Sequence, residues 1–472
     1  MRDTISVTSS TQNKINKRRE KSKKSSQSRI NKLKLLSIDG RSGGGGGDER
    51  ISIDNNHFKY EQAQKAIPFL AQAFANGFFT EVNCRILPEH LLDQLAQQVY
   101  QFVQKQGELN CSLILNKYVE ENLLNEYVNK IYVGDFEENK IEKKEINSMH
   151  IILYKTKDDN PSNHEVSIEG EKQNLACRWS LPHYQFESLW ETVQFDLPLK
   201  SQLMQYVFTL IRFYKANIDR TLIHCNQTIL LYGPPGCGKT TLCKGLAQKV
   251  SIRMKELFSR FYYYELNGGS LFSKWFSESS HNLSRFFDDI RRICYDPLTF
   301  VIILIDEIES LSLSRISSLS SNEPSDMLRV VNTLLTEIDR LKSYSNILII
   351  TTSNLIEIID KALIDRSDLI LFIGPPSIKT IFNIYNACFN ELIDKNLIYS
   401  NINFDKFNNK LWNLAKLSHG LSGRTLRKLP MVAFSHIQQN DHFIYSQQLL
   451  KAMHQQLIDQ KNTNNYLQQF NY

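Results

Sequence analysis

Apolar positions change texture twice along the chain. Between about residues 58 and 185 they form short runs that predict strands at 79–87 and 149–154, with helical spacing at 88–105. The stretches 134–147 and 156–174 are polar and predict loops. From about residue 190, compact apolar runs at 228–232, 261–266, 300–305, 346–352 and 368–373 predict strands. Helical spacing follows at 239–250, 280–294, 325–340 and 377–394. Strands separated by helix-length segments build βαβ units and hence a parallel sheet. Beyond 377 the strand-like runs stop, and helical periodicity returns at 404–417, 423–438 and 445–460. The expected architecture is an α/β domain at 58–185, a larger parallel-sheet subdomain at 190–376 and a small helical subdomain at 377–472.

Residues 1–57 carry none of this patterning. Ser, Lys, Asn and Arg dominate, and the five glycines Gly43–Gly47 follow. Such a segment buries too little apolar surface to offset its ordering entropy, so a disordered tail is expected. The tail also distorts the charge balance. The whole chain has a net charge of +6, but residues 1–34 hold 11 Lys or Arg against Asp3 and Glu20. The remainder is slightly acidic, which argues against a nucleic-acid-binding folded body. The cluster Lys14, Lys17, Arg18, Arg19, Lys21, Lys23 and Lys24 fits a nuclear localisation signal, and equally a solvated basic tail. The 8 cysteines show no CxxC pair, so neither a zinc site nor a disulfide framework is expected. No apolar run approaches the roughly 18 residues of a membrane span, and no signal-peptide core follows the first basic residues.

The chemistry lies in the parallel-sheet region. Gly233-Pro234-Pro235-Gly236-Cys237-Gly238-Lys239-Thr240 is a complete GxxxxGK[ST] phosphate loop between a predicted strand and a predicted helix, with Thr241 next. Its glycines let backbone N–H groups wrap a phosphate, and the helix N-terminus adds positive potential. Lys239 is placed to reach the β- and γ-phosphates of ATP, and Thr240 to coordinate Mg²⁺. The strand at 300–305 ends in Asp306-Glu307, a Walker B pair. Asp306 is the second expected Mg²⁺ contact, and Glu307 the general base acting on water. The next strand ends in Thr351-Thr352-Ser353-Asn354, where the Asn354 amide could orient the water, contact the γ-phosphate (sensor 1), or simply cap a turn.

Longer stretches are more specific. They are Ser270–Ser279 (SLFSKWFSES), Leu304–Leu311 (LIDEIESL), Glu323–Asp326 with Arg329–Asn332, Asp365–Asp368 with Ile373–Ser377, and Gly420–Arg424 with Leu426–Pro430. In these the chain resembles the pachytene checkpoint protein 2 family of AAA+ ATPases, from about Trp179 to the end. The resemblance implies an AAA+ P-loop sheet with a helical lid, assembled as a homo-hexamer that pulls on HORMA-domain proteins, with an adaptor. It implies conversion of closed clients to the open form in checkpoint signalling and meiosis, in the nucleus and on chromosomes, with the cytoplasm as a second compartment. The N-terminal domain would engage client and adaptor.

By position, Trp275 and Phe276 match pore-loop aromatics that grip the client, and about 312–323 a second pore loop. Arg366 matches an arginine finger acting on the neighbouring subunit's nucleotide, although only one arginine stands where many AAA+ proteins have two. Arg424 matches sensor 2, which contacts ATP from the lid. The competing reading is an AAA+ ATPase for another protein client or for nucleic-acid complexes. The weak charge of the body and the aromatic loop weigh against the nucleic-acid form.

Overall fold

The computed structural model describes residues 79–85, 88–105, 113–115, 122–134, 150–168, 171–196, 198–219, 222–268, 279–310, 325–400, 403–437 and 444–470. The chain divides into two compact units. The first comprises the described residues up to Lys157 together with Ile252–Ser259. It holds strands β1 (Phe79–Cys84), β2 (Leu113–Leu115), β3 (Val128–Val133) and β4 (His150–Tyr154), with helices α1 (Leu92–Lys105) and α2 (Asn122–Tyr127). The strand order is β2-β3-β1-β4. β3 runs antiparallel to β1, while β4 pairs with β1 in parallel. Leu95, Val99 and Val103 recur at helical spacing on α1 and pack in one core with Val82, Ile131 and Ile151. The buried Arg253 guanidinium pairs with Glu81 of β1 at 2.7 Å.

The second unit holds a seven-stranded sheet of order β11-β7-β10-β9-β8-β6-β5. Its strands are β5 (Ser162–Ile168), β6 (Glu171–Leu181), β7 (Thr228–Tyr232), β8 (Arg260–Asn267), β9 (Thr299–Asp306), β10 (Ile347–Ser353) and β11 (Leu369–Phe372). The five strands from β11 to β8 are mutually parallel, and β6 and β5 extend the edge antiparallel. The central strands are continuous apolar runs because both faces are covered; β9 is buried from Thr299 to Ile305. Helices α3 (Leu199–Lys215), α4 (Lys239–Arg253), α5 (Ser279–Cys294) and α6 (Ser325–Leu341) accompany the sheet. Leu283, Phe286, Phe287 and Ile290 bury one stripe of α5 against β8 and β9 residues and against Leu334 and Ile338 of α6. Four further helices, α7 (Ile378–Asp394), α8 (Phe404–Leu417), α9 (Gly423–Ser435) and α10 (Ser446–Phe470), close around a separate core that includes Tyr385, Phe389, Leu411, Leu426 and Met453.

The α/β class, the parallel sheet and the helical lid are as the pattern predicts. One part differs. The polar stretch 156–174 contains β5 and the start of β6, and this hairpin completes the second sheet, so the units part after Lys157 and not near 185. An edge strand is paired on one side only and tolerates a polar sequence that a buried central strand would not. The tail 1–57, Trp275, Phe276 and the loop 312–323 lie outside the described residues. Among the described residues no helix is long and apolar enough to cross a membrane, and no cluster of metal-ligating side chains is present.

Candidate active site

β7 delivers the chain to Gly233 at its C-terminal end, where open parallel sheets bind ligands. Gly233 has φ +148°, and a Cβ there would stand 2.0 Å from the Ile373 carbonyl oxygen. Gly236, at φ +78°, has Ser422 Oγ only 2.9 Å from where a Cβ would sit. These two positions admit no side chain, so the loop's tight turn and its contact with the start of the lid both depend on glycine. Pro234 and Pro235 stiffen the turn by fixing φ. Cys237 is buried, and burial pushes its thiol above the usual range, so it behaves as a small apolar filler. Gly238 carries φ +95° and starts α4, accepting from Leu242 N–H at 2.8 Å.

Lys239 opens α4 and is buried. Its Nζ donates to Gly233 O at 2.6 Å, Pro234 O at 3.0 Å and Asn354 Oδ1 at 2.7 Å. Burial holds its ammonium below the usual lysine range, against the opposing pull of Cys237, Glu309 and Asp306. The charge is therefore desolvated and, among the described residues, hydrogen-bonded to neutral oxygens, a state that an incoming phosphate improves. Asn354 stands at the end of β10, and its Nδ2 donates to Glu309 Oε1 at 2.6 Å.

Thr240 Oγ1 donates to the Asp306 carboxylate, 2.9 Å from Oδ2 and 3.2 Å from Oδ1. Thr352 of β10 donates from its hydroxyl to Asp306 Oδ1 and accepts the Glu307 N–H at 3.2 Å. One threonine thus ties down both Walker B residues. Glu307 is exposed and adopts φ +57°, a left-handed conformation uncommon for glutamate. A Cβ at Gly268 would lie 2.6 Å from the Glu307 carbonyl oxygen, so the neighbouring strand end leaves room for this turn only as glycine. The hydroxyl of Thr240 and the carboxylate of Asp306 form an all-oxygen pair that suits Mg²⁺.

Beside the phosphate loop lies a cavity of about 650 Å³. Its walls come from the segment Thr192–Asp196, from Gly236–Gly238 and Thr241, from Phe372, and from Gly423, Arg424, Arg427 and Lys428 of the lid. That size suits a nucleotide. Arg424 N–H donates to Gly236 O at 3.1 Å, and its exposed side chain borders the cavity. Its helix starts at Ser422, whose Oγ caps Thr425 N–H at 3.2 Å. Arg366 does not line this cavity. Its Nε and Nη2 grip Asp339 at 3.0 and 2.7 Å, and its Nη1 donates to Ala362 O at 2.8 Å.

Comparison with known proteins agrees with this geometry. Residues 229–375 match the AAA model, the ATPase family associated with various cellular activities. Residues 400–461 match the TRIP13-like AAA+ ATPase lid C-terminal domain. The Danio rerio pachytene checkpoint protein 2 homolog is 39% identical over 330 residues, covering 66% of this chain and 78% of the relative. The Rattus norvegicus homolog is 35% identical over 390 residues, covering 78% and 90%. The chain belongs to the pachytene checkpoint protein 2 family. The solved structure of C. elegans PCH-2, at 30% identity, superposes with a TM-score of 0.69 over 82% of this chain and 99% of that one.

Within this family member, the structure brings Gly233–Thr240, Asp306, Glu307 and Asn354 together, with Thr241 and Arg424 on the adjoining cavity. Reading the sequence alone misses the segment 188–196. Trp190 is buried there against Gly245 of α4, and Glu191 pairs with Lys249 at 2.6 Å. Asp196 accepts Ser377 N–H at 2.9 Å and Thr380 Oγ1–H at 2.6 Å. A lone Trp-Glu pair ahead of an unremarked helix is a faint signal. Thr352 and Glu309 are legible only from their contacts, Thr352 with Asp306 and Glu307, and Glu309 with Asn354.

Proposed function

We propose that this chain is an ATP-driven hexameric remodeller that converts HORMA-domain proteins between closed and open forms. The reading rests on family membership together with one observation: a desolvated Lys239, the Thr240–Asp306 oxygen pair and the Asn354 amide converge at the C-terminal ends of β7, β9 and β10. Lys239 neutralises the β- and γ-phosphates of ATP, and the phosphate-loop amides hold them. Thr240 and Asp306 would hold Mg²⁺, which supplies charge neutralisation on the phosphate oxygens. Glu307 accepts the proton of the attacking water. Arg424 contacts the nucleotide from the lid and ties its presence to lid angle. Arg366, which does not line its own chain's cavity, serves the site of a neighbouring subunit.

The client would be gripped by Trp275 and Phe276, whose large rigid surfaces hold many sequences. A checkpoint and meiotic role, in the nucleus and on chromosomes, belongs to the same proposal, as does delivery by an adaptor. The test is affinity capture with Glu307→Gln in ATP, compared with Lys239→Ala. A stalled, ATP-loaded motor retains a HORMA-domain protein that the nucleotide-free variant releases. Retention of unrelated proteins only, or of nucleic acid, overturns the client assignment.

A further inference from the structure

Glu309 is a buried carboxylate that the proposed hydrolysis leaves without work. It lies just beyond the Walker B strand and is 7% exposed. Oε1 accepts from Asn354 Nδ2 at 2.6 Å, whereas Oε2 is buried with no hydrogen-bond partner among the described residues. On its other side the Asn354 amide accepts at Oδ1 from Lys239 Nζ at 2.7 Å. The three side chains form a row: ammonium, amide, carboxylate.

An amide has a donating end and an accepting end, and little besides its neighbours decides which way it faces. A lysine ammonium only donates and an ionised carboxylate only accepts. Both neighbours of Asn354 therefore impose the same orientation. A carboxylate kept for packing alone would be expected to satisfy both oxygens, because a buried orphan oxygen is costly. Glu309 bears that cost while its hydrogen bond among the described residues goes to the amide beside the catalytic lysine.

We propose that Glu309 is a positioning residue that fixes the polarity of Asn354, so that the amide presents its carbonyl oxygen, and not its NH₂ group, to the phosphate end of the site. The inference rests on the ATPase reading above and decides between the two catalytic roles open to Asn354, orienting the water and contacting the γ-phosphate. When a phosphate takes the Lys239 ammonium, Asn354 Oδ1 loses its donor. A phosphate oxygen cannot replace that donor, but a water can. Asn354 then accepts one O–H of the attacking water while the other proton passes to Glu307. The water oxygen bonds to the terminal phosphorus as the bond to the bridging oxygen of ADP breaks.

The test is a double-mutant cycle on the full-length chain with Glu309→Gln, Asn354→Asp and both together. Three quantities are read: ATP turnover, affinity for a fluorescent ADP analogue, and the melting temperature of nucleotide-free protein. Glu309→Gln offers either end of an amide and loses the fixed polarity. Turnover falls about 10- to 100-fold, as for other outer partners of a functional group, while ADP affinity changes little. Asn354→Asp sets two carboxylates together and competes with phosphate for Lys239, so melting temperature and affinity both fall. Adding Glu309→Gln supplies a donor to the new carboxylate and recovers the melting temperature, while affinity stays low because the carboxylate still faces Lys239. Effects that simply add across the cycle, or a Glu309→Gln protein with wild-type turnover, overturn the proposal. The melting and affinity arms do not need hydrolysis. If the wild-type chain fails to turn over ATP, the ATPase reading falls while those arms still decide whether Glu309 sets the amide.

Discussion

Lys239 and Arg253 are the first and last residues of α4, and both are buried, at 7% and 3% exposure. Arg253 belongs to the N-terminal unit and is committed. Its guanidinium pairs with a fully buried Glu81 at 2.7 Å and lies 4.7 Å from the centre of the Phe79 ring. Lys239 belongs to the ATPase unit and is held by two backbone carbonyls and an amide oxygen. A cation neutralised by a carboxylate has little left to offer an anion. A cation held by neutral acceptors keeps its charge available, at a desolvation cost that a phosphate repays. Burial of charge is structural in one unit and preparatory in the other, and the partner decides which.

The largest effect is expected at the cation held by neutral acceptors. Lys239→Ala abolishes nucleotide binding, while Glu307→Gln binds ATP normally and loses turnover about 100- to 10,000-fold, the range for a positioned acid or base. Equilibrium nucleotide binding and phosphate release distinguish them. Hydrolysis at wild-type rate by the Glu307→Gln protein would remove Glu307 from the mechanism.

In the N-terminal unit the corresponding change is one of stability. Glu81→Ala leaves Arg253 charged and buried, which costs about 3–5 kcal/mol. Exchanging both residues, Glu81→Leu with Arg253→Met, recovers most of that loss because no uncompensated charge remains. Denaturant unfolding followed by a probe in that unit measures both. If the single variant unfolds as wild type does, the pair is not the commitment described above.

Arg366 lies between the two cases. It is paired with Asp339, yet 27% of its side chain is exposed, and both partners shift in the direction of a favourable ion pair. If it reaches a neighbour's nucleotide it must leave Asp339 to do so, and a solvent-exposed pair costs little to open. Arg366→Ala is expected to bind ATP nearly as wild type does and to hydrolyse it about 100- to 1,000-fold more slowly, the loss seen on removing one transition-state donor. Mixing Arg366→Ala with Lys239→Ala subunits restores a fraction of sites only if Arg366 acts across an interface. Mixtures that never exceed the sum of the separate variants place its role within its own chain.

What was legible in the sequence follows the same division. The phosphate loop was readable because each position is dictated by backbone geometry: Gly233 and Gly236 admit no Cβ. Asp306 was readable because β9 is an unbroken apolar run that ends on it. The central strands were readable from their double burial. The hairpin of β5 and β6 was not, since an edge strand needs no apolar alternation. Nor was the Glu81–Arg253 pair, whose members stand 172 residues apart and look like ordinary surface charges. Glu309 was hidden differently: it sits inside a recognisable motif, and only its contact with Asn354 shows that it serves another residue.

The smallest effect concerns Asp196, an exposed carboxylate that links the segment before α3 to the lid. Ser377, the N-cap of α7, donates to it from its N–H and its hydroxyl, and Thr380 from its hydroxyl. Partial burial works to raise its pKa, but the hydrogen bonds from Ser377 and Thr380 outweigh it and leave the carboxyl below the usual aspartate range. A group whose value is lowered on folding stabilises the folded state above its unfolded value, about 4 for aspartate. That contribution is lost as pH falls from about 4 through the lower folded value. Because the residue is exposed, solvent screening limits the effect to about 1 kcal/mol or less. Asp196→Asn should therefore lower the denaturant midpoint slightly and by a constant amount between about pH 7 and 5, and the gap should narrow below about pH 4. A gap that widens on acidification would show that the carboxylate does not hold the lid helix through its charge.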